Sequence, residues 1–212
     1  MKLQVLILTQ PSRQGFLSQL LPELSRQIKG HSAEIIVHAH DPKLTLGENR
    51  NRQMAESNAE YICFVDDDDW VAPDYFDRIM PLLDWDYVGF RMLCYAVHRN
   101  FEPLCEMFHS LEVGGIDDPW RHETTKYYRG LSHLNPIRRE LAIESTFDCG
   151  MGEDYRWAYR LWNKHIVQTQ HYIDAVMYHY FWRAAKDDER DPINSRRLEL
   201  IESIRSAEST IA

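Results

Sequence analysis

The chain has 212 residues, of which 44% are hydrophobic and 27% are charged, and its formal net charge at pH 7 is −9. This length and composition are typical of one globular domain with an appended tail, and no apolar run approaches the roughly 18 residues of a membrane-spanning helix. The negative charge argues against attraction of the whole surface to nucleic acid or to anionic membranes. Met1 leads directly into apolar residues without a basic signal region, so we expect a cytoplasmic protein. The four cysteines are scattered without a CxxC spacing, which favours reduced thiols.

The first third of the chain alternates short apolar runs with segments that have helical apolar spacing. In chain order these predict a strand at 3–8, a helix at 12–28, a strand at 34–38, a helix at 46–58 and a strand at 61–65. Strands and helices that alternate through short connections form parallel sheets with right-handed crossovers. We therefore expect an α/β fold.

The pattern changes after Pro73, which suits the first turn of a helix through about Leu83. Shorter strands are expected at 87–97, 104–109, 124–128 and 172–180, with helices at 153–164 and 193–206. The charged stretch 187–191 predicts a linker or a solvated helix end. We expect a main domain over 1–185, followed by a charged linker and helix over 186–212.

Four consecutive aspartates, Asp66 to Asp69, follow the third predicted strand. Open α/β sheets bind ligands at this carboxyl edge. On an extended strand Asp66 and Asp68 share one face about 6.6 Å apart, and two charges at that distance repel by roughly 2.5 kcal/mol at an effective dielectric constant near 20. A divalent cation with a phosphorylated ligand relieves this repulsion. The alternative is a solvated acidic loop in which Asp69 or Asp74 caps the next helix.

Segments 47–55 and 59–74 resemble the nucleotide-sugar half of family-2-type glycosyltransferases of the GT-A fold. These enzymes have an Arg-Asn pair on a helix, here Arg50-Asn51, then a strand and a DxD motif followed by Trp and Pro. Segment 147–161 is similar to the helix start of the same family that carries a Glu-Asp pair. The resemblance covers roughly residues 3 to 180, and it matches poorly between about 95 and 130. It implies a GT-A-type, Rossmann-like mixed sheet, mainly parallel and flanked by helices, with a nucleotide-sugar half over 1–92 and an acceptor half over 93–185.

The resemblance implies a metal-dependent enzyme that binds Mn²⁺ or Mg²⁺. Asp66 would lie near the ribose and the metal, and Asp68 would be the main metal ligand. The other residues expected in the donor site are Thr9, Asp41, Arg50 and Arg183, with His179 as a further metal ligand. The family pattern after the second strand differs here, since His40-Asp41-Pro42-Lys43 replaces the usual Asp-Asp-Gly-Ser. An ordinary ion pair for Arg50 and a packing role for His179 are the alternatives.

Asp154 is implied as the base that takes the proton of the acceptor hydroxyl, and Glu153 is the second candidate. The activity implied is transfer of a sugar from a UDP-sugar to an acceptor hydroxyl, with inversion. An acidic pair in a first helical turn also stabilises the helix, by about 0.3–1 kcal/mol per charge. The rival functions are a metal-dependent nucleotidyltransferase or phosphohydrolase, and a non-catalytic nucleotide-sugar-binding module.

The segment 120–139 is basic and aromatic in an otherwise acidic chain. Arginines bind phosphates and aromatic rings stack on sugars or bases, so this segment is a candidate acceptor platform. The acceptors considered are a glycan or a lipid-linked saccharide, with a hydroxylated base in phage-type DNA as the lesser option. The alternative is a half-exposed strand pair whose cations neutralise Asp117, Asp118 and Glu140.

Overall fold

The computed structural model describes residues 1–112, 120–183 and 195–206, and of residues 120–123 only the backbone. Within these residues ten strands form one mixed sheet. The strands are β1 (Leu3–Thr9), β2 (Ala33–Ala39), β3 (Tyr61–Phe64), β4 (Trp70–Val71), β5 (Tyr87–Ala96), β6 (Glu102–His109), β7 (Trp120–Glu123), β8 (Lys126–Arg129), β9 (Ile137–Arg138) and β10 (Gln170–Trp182). The helices are α1 (Gln14–Gln27), α2 (Leu46–Glu56), α3 (Tyr75–Ile79), α4 (Arg139–Ala142), α5 (Glu153–Asn163) and α6 (Ser195–Ser206).

The first three strands form a parallel unit in the order β2-β1-β3, which confirms the sequence prediction. Helix α1 connects β1 to β2, and α2 connects β2 to β3. Helix α2 begins with a capping box, in which the Thr45 hydroxyl accepts from the Glu48 backbone and the Glu48 carboxylate accepts from the Thr45 backbone. Because β1 and β3 pair in parallel, their carboxyl ends lie side by side.

The rest of the sheet continues from β3 in the order β9-β5-β6-β8-β7. Strand β10 pairs in parallel with β5 along most of its length, and its carboxyl end pairs in antiparallel fashion with β4. Since β4 directly follows the aspartates, this pairing brings the end of β10 next to them. The expected mixed α/β sheet flanked by helices is confirmed.

Two local predictions differ from the structure, and a third falls on residues that the structure does not describe. The strand expected at 124–128 is the second half of a hairpin, in which residues 124 and 125 form the turn between β7 and β8. The helix expected from Pro73 begins at Tyr75 and gives way after Ile79 to a short 3-10 turn. The charged stretch 187–191, with Asp117 and Asp118, lies outside the described residues.

Two apolar clusters lie on opposite faces of the sheet. Alternate residues of β1 point to opposite faces, so Val5 and Ile7 join the larger cluster while Leu6 joins the smaller one. The larger cluster includes Ile201 and Ile204 of α6, so the last described helix packs into the same core as the first strands.

Among the described residues, none of the helices combines the length and apolar character needed to cross a bilayer.

Candidate active site

A cleft of about 440 Å³ opens where the ends of β1, β3 and β10 meet the start of α5. Four arginines and five carboxylates line it within the described residues. They are Arg13, Arg50, Arg129 and Arg183, with Asp66, Asp67, Asp68, Glu153 and Asp154. The two acidic motifs of the sequence, which are far apart along the chain, thus meet in one cleft.

The aspartates do not continue as an extended strand. Strand β3 ends at Phe64, and the chain turns so that the Asp69 backbone N–H donates to the Asp66 carbonyl at 3.2 Å. The expected alternation of faces is therefore wrong for Asp67, which lines the cleft together with Asp66 and Asp68. A turn at the edge of the sheet gathers three carboxylates, which a straight strand would divide between two faces.

Asp69 is fully buried beneath this turn and holds it in place. Its carboxylate accepts hydrogen bonds from the Tyr178 hydroxyl and from the Phe181 backbone N–H, each at 2.8 Å. The Tyr178 hydroxyl in turn accepts from the Asp66 backbone N–H at 3.0 Å. Burial, together with the charges of Asp68 and Asp66, raises the pKa of Asp69 well above its usual value.

Arginines compensate the charges of Asp66 and Asp68. Arg50 Nη2 lies 3.0 Å from Asp66 Oδ1. Asp68 Oδ2 lies 2.8 Å from Arg183 Nη1 and 3.3 Å from Arg13 Nη1. Guanidinium groups therefore offset the charge of the acidic cluster, as the repulsion between its carboxylates requires.

The donor set of the turn fits a magnesium or manganese ion that shares its coordination with a substrate. Asp66 contacts Arg50 through Oδ1 and Asp68 contacts Arg183 through Oδ2, and the buried Oδ2 of Asp67 has no hydrogen-bond partner among the described residues. No group of three or more His, Cys, Asp or Glu side chains in the described part of the chain is placed to hold a metal by itself. Mg²⁺ commonly takes one or two carboxylates and completes its shell with phosphate oxygens and water.

The last helix contributes an arginine that the sequence analysis missed. Arg197 of α6 is fully buried, and its Nη1 donates to the Asp68 carbonyl at 2.9 Å. Its guanidinium lies 4.4 Å from the Phe181 ring centroid and 5.0 Å from that of Phe16. Arg183 also stacks on Phe16, at 4.1 Å. Nothing in the polar sequence of α6 marks Arg197, because its partners come from distant segments.

The second acidic motif begins helix α5. Glu153 Oε1 lies 2.5 Å from Arg50 Nη1, so Arg50 bridges Glu153 and Asp66. Asp154 Oδ2 lies 3.0 Å from Arg129 Nη1. Burial raises the pKa of Glu153. Burial would also raise that of Asp154, but the Arg129 and Arg50 guanidinium groups outweigh it and hold the pKa of Asp154 below its usual value.

Helix α2 joins the two motifs. Asn51 exchanges two hydrogen bonds of 2.8 Å with the backbone of Phe147, in the loop before α5. At Gly47 the loop comes so close that an added Cβ would lie 1.9 Å from the Asp148 carbonyl oxygen. The helix that carries Arg50 therefore also fixes the segment leading to Asp154.

Three predicted site residues lie away from the lining of the cleft. Thr9 is buried at the end of β1, where its hydroxyl lowers the pKa of the neighbouring Asp67. Asp41 accepts from the Lys43 backbone N–H at 2.9 Å within its own loop. His179 Nδ1 lies 3.2 Å from the Tyr95 hydroxyl, and its ring stacks on Tyr95. The structure does not bring His179 together with Asp66 and Asp68.

The basic segment 120–139 is not one continuous platform. Arg129 enters the cleft, whereas Arg138 pairs with Asp86 at 3.2 Å and Arg139 donates to the Ser57 hydroxyl at 2.8 Å, both away from the cleft lining. Alternation along short strands and turns sends neighbouring cations to different surfaces. The side chains of residues 120–123 lie outside the described atoms.

Comparisons with known proteins place the chain in a family. The profile of the family described as Glycosyl transferase family 2 matches residues 17–145. Residues 1–349 of S. aureus TarS have a TM-score of 0.60 at 17% identity, over 85% of this chain and 60% of that one. The same fragment in complex with UDP-GlcNAc gives 0.61 at 15% identity, over 87% and 60%. A longer S. aureus TarS chain gives 0.62 at 17% identity, over 95% and 40%.

No match was found among curated protein sequences. The chain spans 60% of the TarS fragment and 40% of the longer TarS chain. At these identities the TarS structures show the fold, and the GT-A-type architecture expected from the sequence is confirmed. The family profile matches more than half of the residues of this chain, and the chain therefore belongs to glycosyl transferase family 2.

Proposed function

We propose that this chain is a metal-dependent glycosyltransferase that moves a sugar from a UDP-sugar to an acceptor hydroxyl, with inversion. The observation that carries the proposal is one cleft that holds both the aspartate turn and Asp154. The donor class is supported by the solved neighbours, since TarS was crystallised with UDP-GlcNAc and with UDP.

In this proposal the donor diphosphate lies beside the aspartate turn. Asp66 and Asp68 would hold Mn²⁺ or Mg²⁺, which when bound neutralises charge on the departing diphosphate. Arg183 and Arg13 exchange part of their contact with Asp68 for phosphate oxygens, which guanidinium groups bind in bidentate fashion. Arg50 holds the carboxylates of Asp66 and Glu153 at a fixed separation through its two ion pairs.

Asp154 is the proposed base. Its low pKa keeps it ionised at neutral pH, and 27% of its side-chain surface is exposed to the cleft. The acceptor oxygen bonds to the anomeric carbon as its proton passes to Asp154, and the bond from that carbon to the UDP oxygen breaks. A single displacement of this kind inverts the configuration at the anomeric carbon.

The proposed acceptor is a glycan or a lipid-linked saccharide. Strand β8 carries the partly buried ring of Tyr127 on the same face as Arg129, which enters the cleft, and aromatic faces stack well on sugar rings. The net charge of −9 makes DNA with a hydroxylated base the lesser candidate.

A thermal-shift panel of UDP-sugars with and without Mn²⁺ tests the donor site. A ligand at a hundred times its dissociation constant stabilises by about 2.7 kcal/mol. We expect Asp68→Asn to lose the manganese-dependent part of the shift, and Asp154→Asn to keep the shift while losing turnover. Asp84→Asn is the control, because 87% of that side chain is exposed and it pairs only with Lys2 among the described side chains.

The products separate the rival functions. Release of UDP with a glycosylated acceptor supports the proposal. Release of a nucleoside monophosphate or of pyrophosphate indicates a nucleotidyltransferase or phosphohydrolase instead. Binding of a UDP-sugar with no turnover in any acceptor pool indicates a non-catalytic binding module.

A further inference from the structure

His133 occupies a buried place in the wall of the cleft. It lies between β8 and β9, where its carbonyl accepts from the Phe64 backbone N–H at 2.9 Å. The ring packs against Phe64 at 5.7 Å and Phe147 at 6.0 Å between centroids, and the residue is only 5% exposed. The aromatic neighbours hold the imidazole in one position.

Both ring nitrogens of His133 lack a hydrogen-bond partner among the described residues. The Asp154 carboxylate lies nearby, but its Oδ2 is 3.9 Å from Nδ1, too far for a hydrogen bond. Buried polar groups are nearly always paired in folded proteins. An unpaired imidazole that faces a cleft therefore indicates a partner that arrives with a ligand.

The chemistry of this ring suits a hydroxyl group. Burial, with the nearby Arg50 and Arg129 cations, holds the pKa of His133 well below its usual value, so the ring is neutral at pH 7. A neutral imidazole has one N–H donor and one acceptor nitrogen. A sugar hydroxyl both donates and accepts, whereas a phosphate oxygen only accepts.

Building on the proposed function, we propose that His133 is a sugar-binding residue of the donor site, hydrogen-bonded to a hydroxyl of the transferred sugar. The transferred sugar must bridge the aspartate turn and Asp154. His133 lies within that span, since it packs on Phe64 at the end of the strand leading to Asp66 and lies 3.9 Å from Asp154. It would thus help to select the sugar and leave recognition of UDP to other residues.

The test compares UDP with UDP-sugars. Dissociation constants are measured by calorimetry with Mn²⁺ for UDP, UDP-glucose, UDP-galactose and UDP-GlcNAc, in the wild type, His133→Phe and His133→Gln. The probe is the UDP-sugar with the largest gain in affinity over UDP in the wild type. We call the ratio of UDP-sugar affinity to UDP affinity the sugar gain. We expect His133→Phe to keep UDP affinity within about twofold and to reduce the sugar gain about tenfold. His133→Gln, which keeps a donor and an acceptor, should retain part of it.

His109→Gln is the matched control. His109 is a second buried histidine, but its Nδ1 lies 2.7 Å from Asn135 Oδ1 and it does not line the cleft. This variant should lower the melting temperature and keep the sugar gain.

The outcomes are distinct. An unchanged sugar gain in His133→Phe, or an equal loss of UDP and UDP-sugar affinity, overturns the inference alone. A wild-type chain that binds none of the UDP-sugars overturns the proposed function, and the inference with it.

Discussion

Asp67 shows how a single buried carboxylate can oppose stability. Burial raises the pKa of Asp67 from 3.8 to about 6, with the Asp68 charge adding to the effect and the Thr9 hydroxyl partly offsetting it. A carboxyl whose folded pKa is raised binds its proton more tightly in the folded state. The folded state is therefore favoured by this group below about pH 4, and that advantage is lost as the pH rises towards 6.

Asp67→Asn should remove this pH-dependent cost. We expect the free energy of unfolding to rise by about 3 kcal/mol at about pH 8 and to change little at about pH 4, measured by urea denaturation. Asp84→Asn, at an exposed position, should change stability little at either pH. An equal gain at both pH values would show that the charge of Asp67 is not the cause.

Arg129 sets the ionisation of the proposed base. Because its guanidinium is the largest influence that lowers the pKa of Asp154, Arg129→Gln should raise that pKa. The acid limb of the pH profile of kcat/KM should then move towards neutral pH, as Asp154 becomes protonated over a higher range. Arg138→Gln removes a comparable pair, with Asp86, away from the cleft lining and should leave the limb in place. An unmoved acid limb in Arg129→Gln would argue against Asp154 as the base.

At the scale of elements, α2 couples the two halves of the site. Asn51→Ala leaves the N–H and carbonyl of Phe147 without their 2.8 Å partners. We expect a loss of about 1–3 kcal/mol of stability in urea denaturation, and a fall in kcat that exceeds the loss of UDP affinity, because the segment before Asp154 shifts. Arg52→Ala, one residue on, removes an exposed pair with Glu56, its one ion pair among the described side chains, and should affect neither stability nor kcat. Equal behaviour of the two variants would contradict this role of α2.

Helix α6 acts through Arg197, which lies beyond the residues matched by the family profile. Arg197→Lys keeps the charge but loses the planar group that stacks on Phe16 and Phe181 and reaches the Asp68 carbonyl. We expect a lower melting temperature, a loss of about 1–3 kcal/mol, and weaker manganese-dependent UDP binding. Arg196→Lys, exposed on the same helix, is the control and should change neither measurement. Unaltered UDP binding in Arg197→Lys would separate α6 from the donor site.

At the scale of the whole molecule, the sequence predicts what is encoded locally. Strands β1, β2 and β3 with the helices between them are recognisable because apolar spacing and branched residues persist over whole elements. The paired motifs at Asp66–Asp69 and Glu153–Asp154 identify the two sides of the cleft. What these predictions share is that each depends on residues close together in the sequence.

The remaining features depend on contacts between distant segments. The aspartate turn is held by Tyr178 and Phe181, and neither the bend nor the gathering of Asp67 into the cleft can be read from an acidic run. The division of the basic segment follows from its spread over β8, β9 and α4, which places Arg129 in the cleft and Arg138 and Arg139 away from it. Arg197 and His133 cannot be recognised as site residues from the sequence, because the groups that surround them come from distant segments.

The arginines that line the cleft are already paired with carboxylates. Arg13 and Arg183 contact Asp68, Arg50 bridges Asp66 and Glu153, and Arg129 holds Asp154. Entry of an anionic donor with a divalent ion therefore swaps internal partners for new ones, with little change in total charge. Such an exchange releases few counter-ions, so the UDP-sugar dissociation constant should vary by less than about threefold between about 50 and 500 mM salt. A steep salt dependence in calorimetry would show instead that unpaired positive charge draws the donor in from solution.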